Sequence, residues 1–236
     1  MTAAGWESPY DDLPDWLRPL AEKGAHVRPE MLGPFVPPAD GGRGAAVLIL
    51  FGDDGRGWDA ADVLLIERAH AMRRHAGQVA FPGGAVDPED PSDVAAALRE
   101  ATEETGLDPV GVRVIGALPP LFLPPSGFVV TPVLAWWRDP SPVSVVDPVE
   151  VASVHRVPLA ELLDPANRYR VAHPSGYVGP AFDVAGLFVW GFTAGLLDRL
   201  TRLAGWERPW DAADVRELPA WALDPSLLGR TGDARP

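Results

Sequence analysis

The chain has 236 residues, 47% of them hydrophobic and 22% charged, which is the composition of one globular fold with appendages and not of a disordered or fibrous protein. Its net charge of −13 argues against a broad nucleic-acid-binding or anionic-membrane surface, so an anionic substrate needs a local exception. The absence of cysteine excludes disulfide scaffolds, thiolate zinc sites and a cysteine nucleophile, leaving oxygen-based or imidazole-based chemistry.

Residues 1–43 are rich in Pro, Gly and acids and read as an N-terminal arm with one short helix around Trp16 to Glu22. Met1 to Asp15 is acidic and shows no charged-then-apolar leader. The longest apolar stretches, Gly127 to Trp137 and Leu187 to Leu197, fall short of the ~20 residues of a membrane span, so a cytoplasmic address with no membrane partner is expected. From Gly44 the texture changes. Ala45 to Phe51 and Asp62 to Glu67 are strand-like runs around a Gly/Asp turn cluster, which suggests a hairpin. Gln78 to Pro82 and a Gly-Gly turn lead to a helix from about Ser92 to Thr105, and strands follow at Val110 to Leu118 and Gly127 to Trp137. The three prolines of Asp139 to Pro148 mark a surface loop before a strand at Val149 to Val157 and a short helix at Leu159 to Leu163. Two further short strands and a long helix at about Leu187 to Leu203 complete a domain spanning 44–204. Residues 205–236 form a tail expected to dock Trp206, Trp210 and Trp221 on the core. Strands interleaved with two main helices imply an α/β (α+β) fold, a mixed sheet covered by helices on both faces.

The helix at 92–105 carries the chemistry. Asp90 can cap it with Pro91 at its first position, and Gly106 ends it. Val94, Ala97, Leu98, Ala101 and Thr105 form the stripe that packs on the sheet, which puts Glu100, Glu103 and Glu104 on the opposite side. Those acids, spaced i, i+3 and i+4, repel by about 0.2–0.5 kcal/mol per pair, and Arg99 cannot neutralise all three. A divalent cation could; the alternative is three solvated surface acids. Between Gly84 and Leu107 stand seven acids and one Arg, a net −6 in 24 residues.

The run from Gly84 to Leu107, ending Arg99-Glu100-Ala101-Thr102-Glu103-Glu104-Thr105-Gly106-Leu107, resembles the Nudix box, G-x5-E-x7-R-E-U-x-E-E-x-G-U with U aliphatic. It departs in its first half: Asp90 stands where the pattern has Glu, and eight residues, not seven, precede Arg99. Upstream, Leu64-Leu65-Ile66-Glu67-Arg68 and Met72-Arg73-Arg74-His75-Ala76-Gly77-Gln78-Val79-Ala80-Phe81-Pro82-Gly83-Gly84 resemble the extra motif of the coenzyme A pyrophosphatase subfamily, which the longer Gly-to-Arg spacing also fits. Ala69 and Met72 replace a Ser and a Leu of that motif. The resemblance extends over about residues 45–200. It implies a Nudix-type α/β/α sandwich and an enzyme that hydrolyses the diphosphate of CoA or acyl-CoA to 3′,5′-ADP and 4′-phosphopantetheine or its acyl form.

The resemblance further implies Mg²⁺ or Mn²⁺ on Glu100, Glu104, Glu103 and the Gly84 carbonyl, with Arg99 orienting the glutamates. Glu103 and Glu150 are the candidates for general base; Glu150 follows a loop that could carry it to the metal, or is simply an exposed loop acid. Arg68, Arg73 and Arg74, with His70 and His75, make a basic island beside the acids, suited to phosphates or else to neutralising the helix. Phe122, Phe128 and Trp137 either stack on substrate or belong to the core. Two alternatives remain at this level: a pyrophosphatase acting on ADP-ribose, NADH or another nucleoside diphosphate derivative, and a non-catalytic nucleotide-binding regulator. Exposed sheet edges and Trp-rich termini suggest a homodimer.

Overall fold

A computed structural model describes residues 8–33, 36–38, 41–69, 77–124 and 126–223. The elements follow in chain order: α1 (Arg18–Gly24), α2 (Pro29–Leu32), β1 (Arg43–Gly52), β2 (Asp62–Arg68), β3 (Val79–Ala80), β4 (Gly83–Ala85), α3 (Asp93–Thr105), β5 (Val112–Ala117), β6 (Leu121–Leu123), β7 (Phe128–Trp137), β8 (Val151–Pro158), α4 (Leu159–Leu162), β9 (Arg168–Ala172), β10 (Val178–Val184), β11 (Leu187–Val189), α5 (Gly191–Ala204) and β12 (Val215–Glu217). Among the described residues no helix is long and apolar enough to cross a membrane.

β1 is the spine. It runs parallel to β7 from Arg43↔Phe128 to Phe51↔Trp136, and its apolar sequence is buried on both sides, as a central parallel strand requires. On its other side β1 meets two partners: β4 pairs along its first half (Ala46↔Gly84) and β2 only at its end (Phe51↔Val63). β2 then diverges to pair with β8 over its whole length, and with β3 near its end. This split holds Gly83 and Gly84 between the diverging strands, where the site is built.

Alternation along β1 sorts the core into two layers. Ala46, Leu48 and Leu50 pack with Ala96, Ala97 and Ala101 of α3, whose small side chains let the helix lie close to the sheet. Ile49 and Phe51 face the other way, into a core shared with Leu17, Leu20, Leu196 and Leu197 from the N-terminal segment and α5. A mixed sheet between helical layers is therefore observed as expected. Beside it lies a four-stranded sheet, ordered β11-β10-β9-β12.

Four local expectations need correction. Ser92, not Asp90, caps α3, its Oγ accepting the Ala95 N–H at 3.2 Å. Glu104 lies on the buried side of that helix and not among its solvated acids. The apolar run from Leu187 divides into β11 and α5, because Ala185 and Gly186 make a positive-φ turn that returns Leu187 against Val184; an apolar run alone does not distinguish strand from helix. Finally, the tail's indoles are not equivalent. Trp206 packs against Trp16 at 5.6 Å between ring centres and donates to the Trp16 carbonyl at 3.2 Å, whereas Trp221 is 66% exposed.

Candidate active site

The sharpest local constraint lies at Gly83. Its φ of +152° suits glycine, and a methyl there would stand 2.3 Å from the Ala46 carbonyl oxygen. Held so, its N–H donates to Glu104 Oε2 at 2.9 Å. Glu104 is 3% exposed, and its other oxygen faces Arg68 Nη1 at 3.6 Å. Burial raises its carboxyl to about 7; the charges of Glu100 and Glu150 act in the same direction, against the Gly83 N–H and Arg68. One turn earlier, Glu100 is half-buried and likewise shifted upward by burial, with the Arg99 guanidinium pulling it back.

Arg99 is the hub of the site. Its Nε and Nη2 bind the two oxygens of Asp90 at 3.1 and 2.9 Å, and Nη2 also donates to the Ala85 carbonyl at 3.1 Å. Nη1 is shared between Glu100 Oε1 at 3.0 Å and Glu103 Oε2 at 3.1 Å. One planar fork thus ties the loop after β4 to two acids of α3, and the carboxylates hold Arg99 firmly protonated. Among the described residues no three His, Asp or Glu side chains stand close enough together to hold a metal ion by themselves, and Arg99 engages both Glu100 and Glu103.

Glu150 is exposed, in the turn immediately before β8, and its charge bears on both Glu100 and Glu104. The proline-rich segment before it is bonded to the end of α3 through Ser144 and Val146, so the mobile loop expected from sequence is tied down. Sequence reasoning missed those two donors because backbone N–H groups leave no side-chain signature. Arg68 is placed beside Glu104, whereas Arg73, Arg74 and His75, with His70, lie outside the described residues. Trp137 is buried in the core, while Phe122 and Phe128 are half-buried, the latter under the Arg43 guanidinium at 4.6 Å.

The NUDIX domain family matches residues 41–176. A Cronobacter sakazakii protein described as an uncharacterized Nudix hydrolase, NudL, is 45% identical over 151 residues, covering 62% of this chain and 77% of its own. The Escherichia coli K12 protein of the same description is 41% identical over 148 residues, 61% of this chain and 75% of its own. The chain is a Nudix hydrolase. The crystal structure of the M. smegmatis Nudix hydrolase RenU shares its fold, with a TM-score of 0.51 and 23% identity over 75% of this chain and 98% of that one.

This Nudix hydrolase is a pyrophosphohydrolase, which removes the non-catalytic alternative. The departures in its Nudix box now have a physical account: Asp90, despite its shorter side chain and the extra residue before Arg99, still meets the guanidinium two-handed. Gly84 is the other fixed point, because a methyl there would stand 2.4–2.7 Å from the Glu100 carboxylate. We expect Gly84→Ala to displace that carboxylate and lower kcat by about 10²-fold, the scale of a 1 Å misplacement. Steady-state kinetics with a parallel thermal melt check this; parental kcat would show that Glu100 need not sit against residue 84.

Proposed function

We propose that this Nudix hydrolase cleaves the diphosphate of coenzyme A or an acyl-CoA with water, releasing 3′,5′-ADP and 4′-phosphopantetheine or its acyl form. The observation that carries the chemistry is the pair Glu100 and Glu104, one turn apart on α3 and both raised by burial, with the charge of Glu150 acting on each and with Glu104 withdrawn from water beside Arg68, its cation among the described residues. Such an oxygen-only, negatively charged donor set suits a hard divalent cation such as Mg²⁺ or Mn²⁺, on Glu100, Glu103, Glu104 and the Gly84 carbonyl. The ion, when bound, neutralises phosphate oxygens and acidifies water.

The protein's own groups divide the remaining work. Arg99 orients Glu100 and Glu103 from one side, and the Gly83 N–H with Arg68 orients Glu104 from the other. Glu150 is the better-placed proton acceptor for attacking water, because it makes no bond to Arg99, whereas Glu103 shares the Arg99 fork. Arg68 serves Glu104 first, which leaves phosphate recognition to Arg73, Arg74 and His75 of the basic island. The preference for CoA over other diphosphates rests on the motif resemblance from Leu64 to Gly84.

Incubation with CoA, ADP-ribose and NADH in the presence of Mg²⁺, followed by mass spectrometry, tests the assignment. Formation of 3′,5′-ADP from CoA is the expected result. Cleavage of ADP-ribose or NADH with CoA left intact would overturn the substrate and keep the chemistry.

A further inference from the structure

The segment joining β7 to β8 is fastened along its length. The Asp139 N–H donates to the Gly111 carbonyl at 3.1 Å, and Ser141 Oγ accepts the Asp108 N–H at 3.2 Å. Val143 packs into the apolar layer under α3. Next, the Ser144 N–H donates to the Thr105 carbonyl at 2.9 Å and the Val146 N–H to the Glu104 carbonyl at 3.3 Å. These belong to the last turn of α3, whose carbonyls have no partner within the helix. Asp147 then gathers the chain: its carboxylate accepts the Val149 N–H at 2.8 Å, and its carbonyl accepts those of Glu150 and Val151 at 3.2 and 2.9 Å.

The connection closes on itself. The Glu150 carbonyl accepts the Ala69 N–H at 2.8 Å, and Arg68, the preceding residue, reaches the Glu104 carboxylate at 3.6 Å. Glu104 thus meets this circuit at two points, its carbonyl bonded by Val146 and its side chain, already held by the Gly83 N–H, facing Arg68, and Glu150 lies on the chain between those two contacts. Since Glu150 is exposed, packing around its side chain does not fix its place; the backbone circuit does.

We propose that residues 141–150 are a positioning strap, in which the N–H groups of Ser144 and Val146 hold Glu150 at a set distance from Glu104. This rests on Glu150 as the proton acceptor. A free segment would have to be ordered in each catalytic cycle at a cost in conformational entropy, and the strap makes that ordering part of folding. Pro140, Pro142 and Pro148 act in the same sense by narrowing the unfolded chain's freedom. Movement of the helix end carries Glu150 with it, so the two carboxylates keep their spacing.

A double-mutant cycle between the strap and Glu150 tests the proposal. Ser144→Pro removes one donor, and we expect kcat to fall by about tenfold or more, with KM and the melting temperature near the parent's. Glu150→Gln lowers kcat by about 10²–10⁴-fold. The combined variant is expected to be no slower than Glu150→Gln alone, because the strap acts through that carboxylate. Multiplication of the two effects would overturn the strap while leaving the base in place. Parental turnover by Glu150→Gln would overturn both, and the CoA assignment would still stand or fall on product analysis. If Ser144→Pro does not fold, Val146→Gly, which keeps the donor but loosens the backbone, enters the same cycle with the same expected non-additivity.

Discussion

Glu104→Gln is expected to lose most metal-dependent hydrolysis, about three orders of magnitude in kcat, while the metal-free protein becomes more stable at alkaline pH. The two effects share one cause. The carboxyl titrates at 4.5 in ordinary surroundings and at about 7 in the fold, because burial penalises its charge. The folded state therefore holds the proton more tightly than the unfolded chain. The stability this confers is complete below pH 4.5 and is lost as pH rises through 7, a swing of about 3 kcal/mol. Glutamine keeps an oxygen for the Gly83 N–H, gives up the pairing with Arg68 and carries no charge to bury.

Melts in EDTA at pH 5 and pH 8 should show the variant near the parent at the lower pH and roughly 6–12 °C above it at the higher. Mg²⁺ should raise the melting temperature of the parent and leave the variant's unchanged. An equal difference at both pH values would show that Glu104 does not carry the buried proton. Retention of turnover would remove it from the catalytic site. A gain in stability on loss of activity is what a functionally strained charge predicts.

Arg99 should prove irreplaceable by lysine. The guanidinium spans Asp90, Ala85, Glu100 and Glu103 with a rigid fork, whereas an ammonium is a single point that reaches only part of that set. Arg99→Lys and Arg99→Ala are both expected to lower kcat by about 10²-fold, with KM changed far less, because the misplaced groups act on the reaction and not on substrate affinity. Asp90→Asn keeps an acceptor for the fork and should cost less than either. Steady-state kinetics decide the matter: a lysine variant with parental kcat would show that Arg99 supplies charge alone.

Local pattern carried much of this site. The i, i+3, i+4 acids, the small-residue stripe of Ala97 and Ala101 and the terminal Gly106 were legible because helix periodicity and capping act over a few residues. The apolar run of β1 read as a strand for the same reason, whereas its burial on both faces follows from its parallel pairing with β7. Asp90 was harder. It reads from sequence as the helix cap, but Ser92 fills that place, and only the closure of the loop onto Arg99 gives Asp90 its role. Glu104 was misjudged because a helical wheel assigns a side by average hydropathy, whereas this carboxylate is buried by its bond to a glycine N–H on a neighbouring strand.

By itself, the sequence determined the elements that short-range forces control: the main strands, the bounded acidic helix and the presence of its three glutamates. Tertiary structure decided which acid is dry, which arginine is committed, where Glu150 stands, and that Trp16 and Trp206 meet in one core. The physical reason is range. Periodicity and caps depend on neighbours a few residues away, but burial and charge pairing depend on which distant segments the sheet brings together, and the divergence of β2 from β1 around Gly83 makes that choice here.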